Sequence, residues 1–243
     1  MNALIIIPAR LASTRLPNKP LADIYGKPMI VHVMEQAQKA NIGPVIVASG
    51  DKEITDIITQ AGGRVIDTDP DLPSGSDRVY QAFLQVENHQ DYDVIINLQG
   101  DLPLINPDDI RQSLRPLSDS TVDIATLIAP IKTDFERNAP SVVKVACSFK
   151  DQDTIGKALY FSRALIPSGE GPLWHHVGIY AYRKAALERF ISLPASYLES
   201  REKLEQLRAL EAGMSIGCAT IQDAPFGVDT PEDLENVRKI IKG

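Results

Sequence analysis

The chain has 243 residues, 44% hydrophobic and 23% charged, with a formal net charge of −7. That is enough length for a sizeable core in an ordinary soluble globular composition. The acidic balance excludes a general nucleic-acid surface, which calls for a basic domain, but not a locally cationic site for a small anion.

Ala3 to Ile7 is a continuous apolar run, the pattern of a parallel strand covered on both faces. Pro8 ends it, and Arg10, Arg15 and Lys19 follow in a loop that also holds Ser13 and Thr14. At the carboxyl end of a central strand, such a loop is where open α/β sheets bind ligands. Arg offers a planar fork to phosphate oxygens and Lys a mobile point charge. A polyphosphate is the indicated ligand, with a solvated basic loop as the alternative. Pro28 opens a helix over Met29 to Ala40, with Ile30, Val33, Met34 and Ala37 at helical spacing. Val45 to Ala48 is a second buried strand. Asp51 caps a helix ending near Gly62 and Gly63, and Arg64 to Ile66 is a short strand. This βαβαβ order predicts a parallel sheet with right-handed crossovers. Neither GxGxxG nor GxxxxGK[ST] is present, so the dinucleotide fingerprint and the P-loop are both absent.

Ser74-Gly75-Ser76-Asp77-Arg78 leads into a helical pattern through Val79, Ala82, Phe83 and Val86. Ser74 or Ser76 suits the N-cap, and the free N–H groups of a helix start suit an anion or a base edge. A plain capping segment accounts for the same residues. Asp93 to Leu98 is a strand running into Gln99-Gly100-Asp101. A carboxylate just past a strand, after a glycine, is a place to hold Mg²⁺; a loop cap is the equal alternative. Asp108 to Leu117 reads as a helix, Val122 to Ile128 as a strand and Thr133 to Arg137 as a helical turn. Ser141 to Ser148 and Gln152 to Leu159 read as a hairpin turning at Asp151-Gln152-Asp153. The hairpin breaks the βα alternation and marks an inserted antiparallel region, about 122–183, for substrate or dimer contacts.

Tyr160-Phe161-Ser162-Arg163 precedes a loop over 167–172, and His175 to Tyr182 is strand-like. Adjacent His175 and His176 point to opposite faces of a strand and make a poor metal pair. Lys184 to Ser192 and Arg201 to Ala212 read as helices, the second containing Glu205 and Gln206. Ser215 to Ile221 is a strand. The last helix has Thr230 at the N-cap, Pro231 at N1 and Asp233 at N3 of a capping box. Cys147 and Cys218, far apart in sequence and in strand-like contexts, read as core thiols of a reducing compartment rather than a disulfide. The short apolar start has no basic flank and does not read as a signal peptide, and no stretch approaches a membrane span. A cytoplasmic protein is expected. No linker divides the chain, so a single domain over 1–243 is expected.

Taken in order, Ile7-Pro8-Ala9-Arg10, Ser13-Thr14-Arg15-Leu16-Pro17, Lys19-Pro20-Leu21, Gly26-Lys27-Pro28-Met29-Ile30, Gln99-Gly100-Asp101, Tyr160-Phe161-Ser162-Arg163, Gly178-Ile179-Tyr180, Leu204-Glu205-Gln206-Leu207-Arg208 and Gly227-Val228-Asp229-Thr230-Pro231-Glu232-Asp233-Leu234 closely resemble the 3-deoxy-manno-octulosonate (Kdo) cytidylyltransferase family, the CMP-Kdo synthetases. The resemblance spans essentially the whole chain. It implies a Rossmann-like nucleotidyltransferase (nucleotide-diphospho-sugar transferase) α/β fold, a mainly parallel sheet with the antiparallel insertion. The implied activity is Mg²⁺-dependent transfer of CMP from CTP to the 2-hydroxyl of Kdo, releasing pyrophosphate and activating Kdo for lipopolysaccharide biosynthesis, by a homodimer. By resemblance, Arg10, Ser13, Arg15 and Lys19 hold the triphosphate, and Ser74, Gly75 and Arg78 the cytidine side. Asp101 and Asp229 hold the metal, with Arg10 and Lys19 sharing catalysis. Gln99, Arg163, His176, Tyr180, Glu205 and Gln206 hold Kdo.

Three departures stand out. Leu102 replaces the family's usual Glu after Gln-Gly-Asp, the nucleotide segment reads Ser-Gly-Ser-Asp-Arg, and the loop between Ile166 and His175 is short. Competing readings are a CMP-sialate synthetase, a hexose-1-phosphate nucleotidyltransferase, which would show a Gly-rich first loop, a glycosyltransferase, which would show Asp-x-Asp, and a non-catalytic CTP-binding module.

Overall fold

The computed structural model describes residues 1–13, 15–150 and 153–242. Thr14 and the predicted turn at Asp151 and Gln152 lie outside the described residues. The chain forms two compact units, the first from residues 1–110 and 225–243, the second from 111–224.

The first unit opens with β1 (Ala3–Pro8), a 3₁₀ turn at Lys19–Leu21 and a small ribbon of β2 (Asp23–Ile24) and β3 (Lys27–Pro28). Helix α1 (Met29–Ala40), β4 (Val45–Ser49), α2 (Lys52–Gln60), β5 (Arg64–Asp67), α3 (Gly75–Gln85), β6 (Val94–Leu98) and α4 (Pro107–Gln112) follow. Its strands lie in the order β5-β4-β1-β6, and each neighbouring pair is parallel. Ala3 to Ile7 are buried throughout, as expected of a strand covered on both faces. From β1 the chain builds outward through β4 and β5, then places β6 on the other side of β1. That reversal makes a crevice at the carboxyl ends of β1 and β6, the usual ligand site of an open α/β sheet.

The second unit holds β7 (Ile124–Pro130), α5 (Asp134–Asn138), β8 (Lys144–Phe149), β9 (Ile155–Ser162), β10 (Trp174–Arg183), α6 (Lys184–Ser192), α7 (Tyr197–Glu202), α8 (Gln206–Glu211) and β11 (Ile216–Thr220). Its strands run β10-β7-β11-β9-β8. The β10–β7, β11–β9 and β8–β9 pairs are antiparallel and β11–β7 is parallel. The predicted hairpin is therefore β8–β9. The chain then returns to the first unit with α9 (Pro231–Lys242). There Leu234 and Val237 pack with Val228, Ile24 and Met29.

Two predicted helices are shorter than expected. The helix over Asp108 to Leu117 stops at Gln112 and gives way to a 3₁₀ turn at Arg115–Ser118. Pro116 lacks the N–H that a continuing helix needs. The helix over Arg201 to Ala212 is instead the end of α7 and the whole of α8. Lys203 between them is left-handed at φ 58°, which no continuous right-handed helix accommodates. Pro28 precedes α1 as its N-cap rather than opening it at N1.

Candidate active site

In the first unit, the residues after β1, before and within the start of α3, after β6 and before α9 meet around one cavity of about 370 Å³. Arg10, Ser13, Arg15 and Lys19 line it from the first loop, and Ser74, Gly75 and Arg78 from the start of α3. Gln99, Asp101 and Asp229 complete the expected residues there.

Local structure explains how each segment reaches the cavity. Gly100 passes close to the first loop: a Cβ on it would lie 3.2 Å from the Pro8 carbonyl oxygen and 3.1 Å from Ile30 Cδ1. The Val228 N–H donates to the Asp101 carbonyl at 2.9 Å, so the two carboxylate-bearing segments are joined through their main chains. Thr230 and Asp233 then close the predicted capping box. The Asp233 amide donates to Thr230 Oγ1 at 3.2 Å, and Asp233 Oδ2 accepts from the Thr230 and Asp229 amides at 2.9 and 3.1 Å. Asp229 thus keeps its own carboxylate for the cavity while Asp233 does the capping.

The carboxylates converge on one ammonium. Lys19 Nζ lies 2.9 Å from Asp101 Oδ2 and 3.1 Å from Asp229 Oδ1. Arg15 Nη2 lies 3.2 Å from the same Asp229 oxygen. Burial works to lower the Lys19 pKa, but the two carboxylates outweigh it and hold it above the ordinary lysine value. Among the described residues, no group of three or more His, Cys, Asp or Glu side chains is arranged for a metal. Two carboxylates with no third protein ligand do fit Mg²⁺, which binds through one or two carboxylates and completes its shell with phosphate and water oxygens. An ammonium already bridging them shows that a cation is accommodated there.

Ser74 is the N-cap of α3, its Oγ accepting from the Asp77 amide at 3.2 Å. Arg78 is buried, with Nη1 donating to Thr68 Oγ1 at 2.5 Å and Nη2 to the Pro70 carbonyl at 3.2 Å. It therefore braces the segment that carries Leu72 to the cavity wall.

In the second unit, the His176 and Tyr180 rings pack at a 47° tilt with centroids 5.4 Å apart. Residues four apart in a regular strand lie about 13 Å apart. The β10 register shifts between Val177 and Tyr180, and this irregularity compresses the interval. Thr126 Oγ1 lies 2.8 Å from the Ile179 carbonyl and 3.0 Å from His176 Nε2. A hydroxyl has one proton; given to the carbonyl, it leaves the oxygen to accept from Nε2–H. Burial pulls the His176 pKa down to about 3 and pushes that of Tyr180 well up. Gln206 is buried and its Nε2 finds no hydrogen-bond partner. Glu205 precedes it as the N-cap residue of α8. The Arg163 guanidinium donates to the carbonyls of Glu202, Pro140 and Lys203 at 3.0, 3.1 and 3.4 Å, which accounts for three of its five N–H donors.

Residues 4–216 match the family model described as cytidylyltransferase. The chain is 51% identical over 242 residues to the 3-deoxy-manno-octulosonate cytidylyltransferase of Paramagnetospirillum magneticum, covering 100% of this chain and 98% of that one. It is 56% identical to the enzyme of the same name from a Bradyrhizobium species, covering 98% and 96%. Among solved structures it superposes on a CMP:2-keto-3-deoxy-manno-octonic acid synthetase complexed with CTP, with a TM-score of 0.90, 41% identity and coverage of 100% and 99%. The chain belongs to the 3-deoxy-manno-octulosonate cytidylyltransferase family. It shares the nucleotidyltransferase fold, mainly parallel with an antiparallel region. A 4-diphosphocytidyl-2C-methyl-D-erythritol synthase has that fold at only 10% identity, with a TM-score of 0.66.

Within this cytidylyltransferase, Leu102 is buried beside Gly227 and does not line the cavity, so position 102 contributes packing. Three partners of site residues escape a motif search. Asp51 Oδ2 accepts from the Leu11 amide at 2.8 Å and so ties down the first loop. Asn97 Oδ1 accepts from Gln99 Nε2 at 2.8 Å. Thr126 holds His176. Asn97 and Thr126 carry a usable signal, a lone polar residue inside an apolar strand, which must find a partner when buried.

Proposed function

We infer that this protein transfers CMP from CTP to the 2-hydroxyl of Kdo, giving CMP-Kdo and pyrophosphate and so activating Kdo for lipopolysaccharide biosynthesis. The observation that carries this reading is the first unit's cavity, where cations from one loop face two carboxylates brought together from distant points in the chain. Arg10, Ser13, Arg15 and Lys19 hold the triphosphate, and Ser74, Gly75 and Arg78 shape the cytidine side. In-line attack on the α-phosphorus needs alignment and charge neutralisation more than covalent help. Arg10 and Lys19 serve that need as donors to the phosphate oxygens. Asp101 and Asp229 hold Mg²⁺. Bound there, Mg²⁺ would lower the pKa of the attacking hydroxyl and offset charge at the α-phosphate.

We assign the sugar acid to Gln99, Arg163, His176, Tyr180, Glu205 and Gln206. The unpartnered Gln206 Nε2 supports this, because a buried donor left unpaired costs about 1–3 kcal/mol and a hydroxyl would relieve it. His176, with Nε2 given to Thr126, has Nδ1 left as an acceptor. We also propose one catalytic domain over 1–243, a homodimer contacting through about 122–183, and a cytoplasmic location. The two cysteines are free, as a reducing compartment requires. No helix among the described residues is long and apolar enough to cross a membrane.

Pyrophosphate release from CTP and Mg²⁺, with and without Kdo, tests the reaction and the metal pair together. The wild type should release pyrophosphate only with Kdo, and Asp229→Ala should lose at least about 100-fold in rate, the scale of removing one transition-state charge partner. Release with sialic acid but not Kdo would move the chain to the sister activity. CTP binding without release with either acid would leave a binding module.

A further inference from the structure

Asp229 Oδ1 is contacted by both Lys19 Nζ and Arg15 Nη2, at 3.1 and 3.2 Å, and Asp101 Oδ2 by Lys19 at 2.9 Å. Two of the three cations assigned to the triphosphate thus rest on the carboxylates assigned to the metal. The Lys19 side chain is 18% exposed and Asp101 31%, whereas Arg15 and Asp229 are 63% and 43% exposed. Lys19 is therefore the well-seated member, and Arg15 a looser, solvent-screened one.

We propose that Lys19 is an exchangeable counter-ion of the Asp101–Asp229 pair, which a divalent cation must displace and which the triphosphate draws away. This rests on the metal reading of that pair given above. An ammonium and a divalent cation cannot share the same carboxylate oxygens at contact distance, because like charges a few ångströms apart repel strongly where water is partly excluded. Lysine suits the exchange: its charge sits on a flexible four-carbon stem with three rotatable donors, so it can leave the carboxylates for phosphate oxygens without moving the backbone. Arginine at position 19 would hold a carboxylate through a planar fork and leave less readily. Polyphosphate arrival and metal arrival are then linked. Whatever removes the ammonium from the carboxylates raises their affinity for the metal, and by reciprocity bound metal frees Lys19 for the phosphates.

The test reads binding, not turnover. Mn²⁺, as the chloride, is titrated into the full chain without nucleotide, and free Mn²⁺ is followed by electron paramagnetic resonance. Wild type is compared with Lys19→Met, Lys19→Gln, Arg10→Gln and Asp229→Asn, each checked by circular dichroism. Arg10 lines the same cavity and controls for the general loss of one positive charge. Lys19→Met and Lys19→Gln should each tighten Mn²⁺ about tenfold, Arg10→Gln by no more than twofold, and Asp229→Asn should weaken it at least tenfold. Equal tightening in Arg10→Gln and the Lys19 variants would overturn the exchange and leave only a general field. Unchanged affinity in both Lys19 variants, with Asp229→Asn still weakening it, would overturn the exchange while keeping the metal reading. Unchanged affinity in Asp229→Asn would overturn the metal reading itself, and the exchange with it.

Discussion

Gly156 is the residue on which the two thiols of the chain meet. Cys218 on β11 stands directly opposite it, and a Cβ placed on it would lie 2.5 Å from Cys147 Sγ, 2.9 Å from the Phe149 ring and 2.9 Å from the Ser148 carbonyl oxygen. The Cys147 contact, reinforced by burial, pushes the Cys218 thiol pKa well up. Cysteines far apart in sequence and read separately as core thiols are therefore neighbours across an absent side chain. Gly156→Ala must displace backbone as well as sulfur, and it should lower stability by about 1–3 kcal/mol, the usual cost of overpacking. A fall in the urea midpoint with an unchanged slope would measure it. At this scale the site splits by how local its signal is. Arg10 and Asp101 stand just past apolar runs, and Lys19 lies in the loop that the first run opens into, so all three are legible as they pass. Asp51 and Thr126 act on residues far away in the chain, and nothing beside them in the sequence announces the partner.

Helices α7 and α8 show what an element-scale reading misses. Amphipathic spacing runs on from Arg201 to Ala212, with no Gly or Pro to interrupt it, yet Lys203 turns left-handed at φ 58°. The break is set by packing. Arg208 from α8 reaches Glu199 on α7 through Nε at 2.9 Å and Nη2 at 2.5 Å, and its guanidinium stacks 4.9 Å from the Phe190 ring centroid. One straight helix would place positions 199 and 208 roughly 14 Å apart along its axis, so that ion pair requires the kink. The Lys203 carbonyl of the kink is also a partner of Arg163. A lysine in the left-handed region carries a steric penalty that glycine avoids. Lys203→Gly should therefore keep activity and raise stability by up to about 1 kcal/mol, read as a higher thermal midpoint. A loss of stability would mean that the Lys203 side chain contributes more than its backbone strain costs.

Across the whole molecule, two adjacent imidazoles, His176 buried and His175 half-buried, set the acid limit of stability. Burial lowers the His175 pKa, and it takes His176 from 6.5 to about 3. The unfolded chain binds these protons first, so stability is complete above about pH 6.5 and falls as pH drops from there toward 3. For one such proton the slope is about 1.4 kcal/mol per pH unit. Urea midpoints between pH 7 and 5 should fall accordingly, and His176→Gln, which keeps a donor for Thr126 but cannot titrate, should flatten the curve. The βαβαβ start is legible in the sequence because each element announces itself by period and cap. The return of the chain to the first unit is not. Asp229 is locally only a residue before a capped helix, and its meeting with Asp101 is made by the return of residues 225–243 to the first unit and by the Val228–Asp101 main-chain bond.

Asp51 occupies the N-cap position of α2 but makes no side-chain cap there; its carboxylate is given to the Leu11 amide. The opening turn of one helix is left less secured so that a neighbouring loop is anchored, and the two segments share a single fate. Anything that frays that turn slackens the loop bearing Arg10 and Arg15, and a nucleotide held by that loop, as proposed above, would steady the start of α2 through Asp51.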